Sequence, residues 1–432
     1  MVRIWFILLS AAAAFGAQNA PLDGIDAYVT QAMKTFDVPG VAVAVVHNGD
    51  VDLAKGYGVR RIGEAALVDS HTLFGIASNS KAFTSAALAM LVDEGKLKWD
   101  DPVNKHLEWF QMYDPYVSKE MTIRDLLTHR SGMGLGEGDL LFFPPSSYTR
   151  DEILRRLRFM KPATSFRSHY AYDNLLYLAA GQIIPAVTGK SWEEFIRARI
   201  FQPLGMTDSN TSVADFRPGG NWATPHSEVE GKLTAIEPAR IDNTAPAGAI
   251  NSSVSDMAKW VTAQLNGGAI PGSDQRLFSE KEGREMWTPQ TILPTPDPPA
   301  GLGALHTNFA AYGLGWFLRE YRGHKLVGHT GGLPGYVSQV TLIPDMKLAV
   351  IVLTNMESGA MFSSVTYGIL DRYMKATDTD WVKEYHGLVE KQHAQTEETV
   401  NKAAETRAAD SKPSLALEKY AGGYQDAWYG DI

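Results

Sequence analysis

Cysteine is absent from the 432 residues, so disulfide scaffolds, thiolate metal sites and cysteine nucleophiles are excluded together, and any nucleophile has to be oxygen or nitrogen. Positive charge is not in excess either. Forty Lys and Arg face 49 Asp and Glu, a formal net charge of −9, which supplies no field for a polyphosphate backbone and argues against a nucleic-acid partner. No His-Glu-x-x-His occurs and no Gly-x-Ser-x-Gly surrounds Ser78, so neither a zinc hydrolase nor an α/β-hydrolase elbow has support. What is present is 44% hydrophobic and 21% charged residues, the balance of a globular chain able to bury a substantial core. At roughly 150 residues per domain the length suits about three units, or one large fold with insertions.

Long apolar runs are confined to the beginning of the chain. Arg3 precedes an apolar stretch from Ile4 to Ala17, and Ala14-Phe15-Gly16 gives the small-x-small pattern of a signal-peptidase site. Residues 1–16 therefore read as a secretory signal, shorter than the ~20 residues that span a bilayer. The expectation is a protein exported to a periplasm or the medium, with no membrane association beyond that signal.

Val41 to His47 is a run of β-formers, Asn48-Gly49 is a strong hairpin signal, and Asp50 to Gly58 returns as a second strand. Ser78 to Leu97 carries Ala, Leu and Met at helical spacing, as a helix buried on most sides would. Helical patterns follow at Thr122–Thr128, Asp151–Met160, Asn174–Val187 and Trp192–Ile200. The period then changes, and Gly313–Tyr321, Lys325–Gly328, Tyr336–Ile343 and Lys347–Asn355 read as successive strands. Strands at both ends with helices between them predict an α+β fold: an antiparallel sheet flanked by helices, beside an inserted, mostly helical region. The expected division is a main body at 17–374, a charged helical linker at 375–413, and at 414–432 a segment that starts like a strand at Leu415 and either docks on the main body or is the start of a truncated β domain.

The stretch most able to do chemistry is Ser78-Asn79-Ser80-Lys81. In a helix, a spacing of three places the hydroxyl and the amine one turn apart on the same face. Ser-x-x-Lys alone would more often be a capping serine followed by a surface lysine. Here, however, the helix after Ser78 is apolar (Ala82, Phe83, Ala86, Ala87, Met90, Leu91), so Lys81 sits on an element destined for burial. Desolvation lowers a lysine's pKa, and a neutral amine beside a serine is a competent proton acceptor.

Further motifs occur in order: Tyr172-Asp173-Asn174 ahead of an apolar helix, and His329-Thr330-Gly331-Gly332 on a strand. Leu126-Leu127-Thr128-His129-Arg130-Ser131-Gly132-Met133, Ala247-Gly248-Ala249-Ile250 and Tyr312-Gly313-Leu314-Gly315-Trp316 accompany them. Together these resemble the serine β-lactamase and penicillin-binding protein superfamily, most closely its class C-like branch of D-aminopeptidases, DD-carboxypeptidases and family VIII esterases. The resemblance runs from about Leu22 to Met374.

It implies Ser78 as the nucleophile, with Lys81 and Tyr172 sharing the proton work. Asn174 would orient Lys81 and the substrate, His329, Thr330, Gly331 and Gly332 would form the substrate-binding strand, and the backbone N–H groups of Ser78 and Gly332 would form the oxyanion hole. No metal and no cofactor are implied. Which of Lys81 and Tyr172 is the general base stays open. His329 replaces the lysine of most class C β-lactamases and removes a permanent cation for a β-lactam carboxylate. The expected partner is thus a small-molecule or peptide substrate: a D-amino-acid peptide amide first, a short ester second, a β-lactam third. A penicillin-binding sensor with little turnover is the alternative from another class.

Overall fold

A computed structural model describes residues 20–376, 378–407 and 412–431; the signal expected at residues 1–16 lies outside them. Among the described residues no helix is long and apolar enough to cross a membrane.

The elements that position the site are α1 (Ile25–Thr35), β1 (Gly40–His47), β2 (Asp50–Gly58), α2 (Ser80–Asp93), α3 (Leu175–Thr188) and α4 (Val254–Leu265). Six strands follow: β3 (Thr291–Ile292), β4 (Ala310–Tyr312), β5 (Phe317–Tyr321), β6 (His324–Leu333), β7 (Tyr336–Ile343) and β8 (Leu348–Thr354). After them come α5 (Gly359–Met374) and α6 (Trp381–Thr406). The strands form one eight-stranded sheet in the order β2-β1-β8-β7-β6-β5-β4-β3, antiparallel at every pairing. This is the α+β fold that the alternation of patterns predicts, closed by segments from both ends of the sequence.

Register explains why β1 and β8 read as unbroken apolar runs. Val41 lies opposite Thr354 and Val45 opposite Val350, and both strands are covered on both faces. Ala42, Ala44 and Val46, with Ala349, Ile351 and Leu353, face the core shared with α2, α3 and α4. Val41, Val43 and Val45, with Leu348, Val350 and Val352, face a second core with α1, α5 and the start of α6. A strand buried on one side would have alternated with polar residues.

Three expectations are corrected. Gly313–Tyr321 is not one strand: Gly313 N donates to Trp316 O at 2.8 Å, and Gly315 sits in the left-handed region at φ 84, so a turn separates β4 from β5. The helix expected from Ser78 begins as a 3-10 turn over Ala77–Asn79 and becomes α-helical at Ser80. The strand expected from Leu415 is a 3-10 turn at Leu417–Tyr420; strand pairing comes only later, where a tight turn lets Gln425–Asp426 and Gly430–Asp431 satisfy each other's backbone groups. The end of the described chain instead lies on the main body, where Tyr148 Oη donates to Tyr429 O at 2.8 Å. The charged stretch after Lys375 is the helix α6, in which Trp381 and Val382 are buried and the residues beyond Val389 are exposed.

Candidate active site

Ser78 stands at the mouth of α2, half-buried, and the residue before it carries the backbone strain. Ala77 has φ 48, uncommon for a residue with a Cβ. Its neighbours hold it there: Ser338 Oγ donates to Ile76 O at 2.8 Å, and Asn79 Nδ2 donates to Ser338 Oγ at 2.8 Å. The strand β6 presses against the same turn at Gly331, where a Cβ would lie 2.2 Å from Ile76 O. Only glycine permits that approach.

One turn along, Lys81 is fully buried. Its Nζ lies 3.0 Å from Ser78 Oγ, 2.8 Å from Asn174 Oδ1 and 3.0 Å from Ala247 O. All three partners are neutral. Burial pushes the amine down to about 7, while the charges of Asp139 and Asp173 pull it partly back. The rings of Tyr172 and Tyr177 flank it, with Nζ 4.8 and 5.3 Å from their centroids.

Tyr172 has a buried hydroxyl without a hydrogen-bond partner of good geometry. Burial raises its pKa well above the ordinary phenol value, only the neighbouring Ser78 lowers it, and Tyr177, Tyr170 and Asp173 push it further up. Tyr172 is therefore a phenol, not a phenolate, when Lys81 titrates. Asn174 occupies the N-cap position of α3, yet its side chain makes no cap. It is diverted to Lys81, and Asp173 Oδ1 accepts from Leu176 N at 3.2 Å instead.

The structure divides the third motif. Gly332 is exposed and lines a pocket of about 420 Å³ together with Ser78 and Asn174. Thr330 is exposed on the same strand but outside that lining, and Gly331 is buried against the Ser78 turn. His329 is buried behind the pocket. Its Nδ1 lies 2.6 Å from Thr330 O, which can only accept, so Nδ1 carries the proton and Nε2, at 3.0 Å, accepts from Tyr312 Oη. Burial and the nearby Lys81 push its pKa down to about 3. His329 thus stays neutral and offers no free nitrogen to a ligand.

Two residues near the site were given no role by the sequence reading: Asp139 went unmentioned, and His129 stood only within the Leu126–Met133 stretch. Asp139 lines the pocket, and Asn174 Nδ2 donates to both its oxygens at 3.1 Å. His129 brackets Tyr172: its carbonyl accepts from Ala171 N at 2.9 Å, its Nδ1 accepts from Asp173 N at 3.2 Å, and its ring lies 4.2 Å from the Tyr172 ring. Glycines at 132, 134, 136 and 138 were the available signal for Asp139, since such spacing marks a chain running close to other backbone.

Residues 25–372 match the family described as Beta-lactamase. The chain belongs to the beta-lactamase family. Two proteins named unguisins hydrolase, from Aspergillus campestris and Aspergillus violaceofuscus, are 31% and 29% identical to it; the alignments cover 94% and 96% of this chain and 76% of each relative. Protein flp of Staphylococcus aureus is 26% identical over 77% of this chain and 63% of its own length. Among solved structures, the octameric penicillin-binding protein homologue from Pyrococcus abyssi superposes with a TM-score of 0.70 at 26% identity, over 82% of this chain and 77% of that one. This beta-lactamase-family chain is thereby related to proteins named as hydrolases and to a penicillin-binding homologue.

Proposed function

We propose that the protein is an exported serine acyl-hydrolase that forms an acyl-enzyme on Ser78. The observation that carries this reading is the hydrogen bonding of Lys81. A neutral amine has two N–H bonds and one lone pair. As an ammonium, Nζ donates to Ser78 Oγ at 3.0 Å; once neutral, its two N–H bonds stay with Asn174 Oδ1 and Ala247 O and its lone pair is left facing the Ser78 hydroxyl. Lys81 is then the general base that the sequence left undecided.

In the forward step Lys81 takes the Ser78 proton as Oγ bonds to the acyl carbon. The carbonyl oxygen gains charge, stabilised by the N–H groups of Ser78 and Gly332. Collapse breaks the bond from the acyl carbon to the leaving nitrogen or oxygen, and Tyr172, still a phenol, donates the proton that group needs and regains one from the Lys81 ammonium. Water then reverses the sequence and frees the acid.

Substrate preference follows from the pocket. Phe142, Phe143, Ile241, Leu333, Pro334 and Val337 give it apolar walls, and its charged lining residues are Asp139 and Glu357. No lining residue is a cation, and His329 is neutral, so a carboxylate-bearing β-lactam lacks a counter-charge. A peptide amide of D-amino-acid type ranks first, a short ester second and a β-lactam third; the relatives named unguisins hydrolase are consistent with a hydrolytic role. Export to a periplasm or the medium rests on the leader-like residues 1–16.

The test is pre-steady-state release of p-nitrophenol from a chromogenic ester, with D-alanyl amides and nitrocefin run beside it and mass spectrometry locating the acyl group. The expected result is a burst, an acyl adduct on Ser78, and loss of both in Ser78→Ala but not in Ser131→Ala. Stoichiometric labelling by a β-lactam without turnover of any substrate would make the protein a binder and overturn the reading.

A further inference from the structure

We propose that Asp139 is a positioning residue for the reaction: by holding the amide nitrogen of Asn174 it fixes which end of that amide meets Lys81, and so aims the lysine lone pair at Ser78. The inference rests on the reading of Ser78 and Lys81 given above.

A carboxylate only accepts hydrogen bonds. Both Asp139 oxygens lie 3.1 Å from Asn174 Nδ2, so the nitrogen end of the amide must point to Asp139 and the oxygen end to Lys81, 2.8 Å away. Were the amide reversed, its N–H₂ would face the amine. Lys81 would lose one of its two acceptors, turn an N–H toward Ser78 Oγ and cease to accept from it. The chain is built to bring Asp139 there. Gly138, at φ 85, passes so close to the start of α3 that a Cβ would lie 2.3 Å from Leu175 Cδ1 and 2.9 Å from Met160 Cε. Gly136 N donates to Tyr172 O at 2.9 Å, tying the same loop to the catalytic segment. Asp139 then opens a 3-10 turn whose next residues carry Phe142 into the pocket wall.

Asp139 also acts through its charge, since its proximity raises the pKa of Lys81. The other titratable groups around the amine are Asp173, Tyr172, Tyr177, His129 and His329, and a substitution at position 139 leaves each of them in place.

The experiment compares Asp139→Ala, Asp139→Asn and wild type in acylation by a p-nitrophenyl ester across pH, with thermal unfolding to verify folding. In Asp139→Ala, kcat should fall about tenfold or more while KM changes little, because orientation is lost within the bound complex. Asp139→Asn keeps an oxygen that accepts from Asn174, so most of kcat should return. The acid limb of its kcat/KM profile should move down by about half a pH unit or more, because the negative charge is gone. A wild-type kcat in Asp139→Ala, or equal losses in both variants with an unmoved acid limb, would overturn the inference. Ser78→Ala in the same assay separates the two levels: turnover persisting there overturns the catalytic reading itself, whereas a dead Ser78→Ala with wild-type behaviour at 139 overturns only this proposal.

Discussion

Lys81 and Asp125 are both fully buried ionisable side chains, and they have opposite surroundings. Asp125 receives Arg130 Nε at 2.9 Å, Arg167 Nε at 3.0 Å and Nη2 at 2.6 Å, and Thr122 N at 3.0 Å. Burial alone would raise its pKa, yet these donors, Arg167 foremost, hold it below the ordinary carboxylate value. Lys81 touches two carbonyl oxygens and a hydroxyl, and burial without a contacting counter-ion brings it down to about 7. A buried charge that is paired serves the fold, because removing one partner strands the other. A buried amine left unpaired costs stability and gains basicity at the pH where it can act.

The largest effect should come from removing the unpaired member. Lys81→Met should lower acylation of Ser78 about 10³-fold or more, measured by single-turnover ester cleavage, and should make the protein more stable, not less. The sign follows from linkage. The folded value of about 7 lies below the usual 10.5, so between those values the unfolded chain binds more protons, and wild-type stability rises with pH across that window. Below pH 7 both states carry the ammonium and the full burial cost is present. The stabilisation by Lys81→Met should therefore be greatest below pH 7 and shrink toward pH 10.5 in denaturant titrations; a constant difference would break the contrast.

Removing the paired member should do the reverse. Asp125→Ala leaves two guanidinium groups without their shared carboxylate and should cost about 3–5 kcal/mol by denaturant unfolding, while the folded fraction keeps its kcat. A loss of kcat with unchanged stability would exchange the roles assigned to the two sites. The smallest effect concerns the neighbouring phenol. Tyr172→Phe should slow a D-alanyl amide about 10²-fold and a p-nitrophenyl ester far less, because nitrophenolate leaves without a proton. Equal slowing of both would remove Tyr172 from leaving-group protonation.

The same contrast explains what the amino-acid sequence made legible. Strand pattern, the Asn48-Gly49 turn and the apolar face of α2 are local or periodic signals, and each predicts its element. The approach of Ser78 to Lys81 follows from helical spacing. Nothing local says that Asn174 turns away from its cap position, because the reason lies on α2 and on the loop bearing Asp139, 93 and 35 residues away. His329 was expected to face substrate because the family resemblance implied a substrate-binding strand. Its actual partner is Tyr312, set by the β4–β5 turn that the strand pattern had merged into one element. Long-range partners decide which side chain is diverted, and those are visible only in three dimensions.

Titration of Lys81 itself tests the central claim most directly, by ¹³C NMR of lysine ε-carbons with the resonance assigned by its loss in Lys81→Met. The account predicts a pKa of about 7. A value near 10.5, with the amine still charged where the enzyme works, would contradict it.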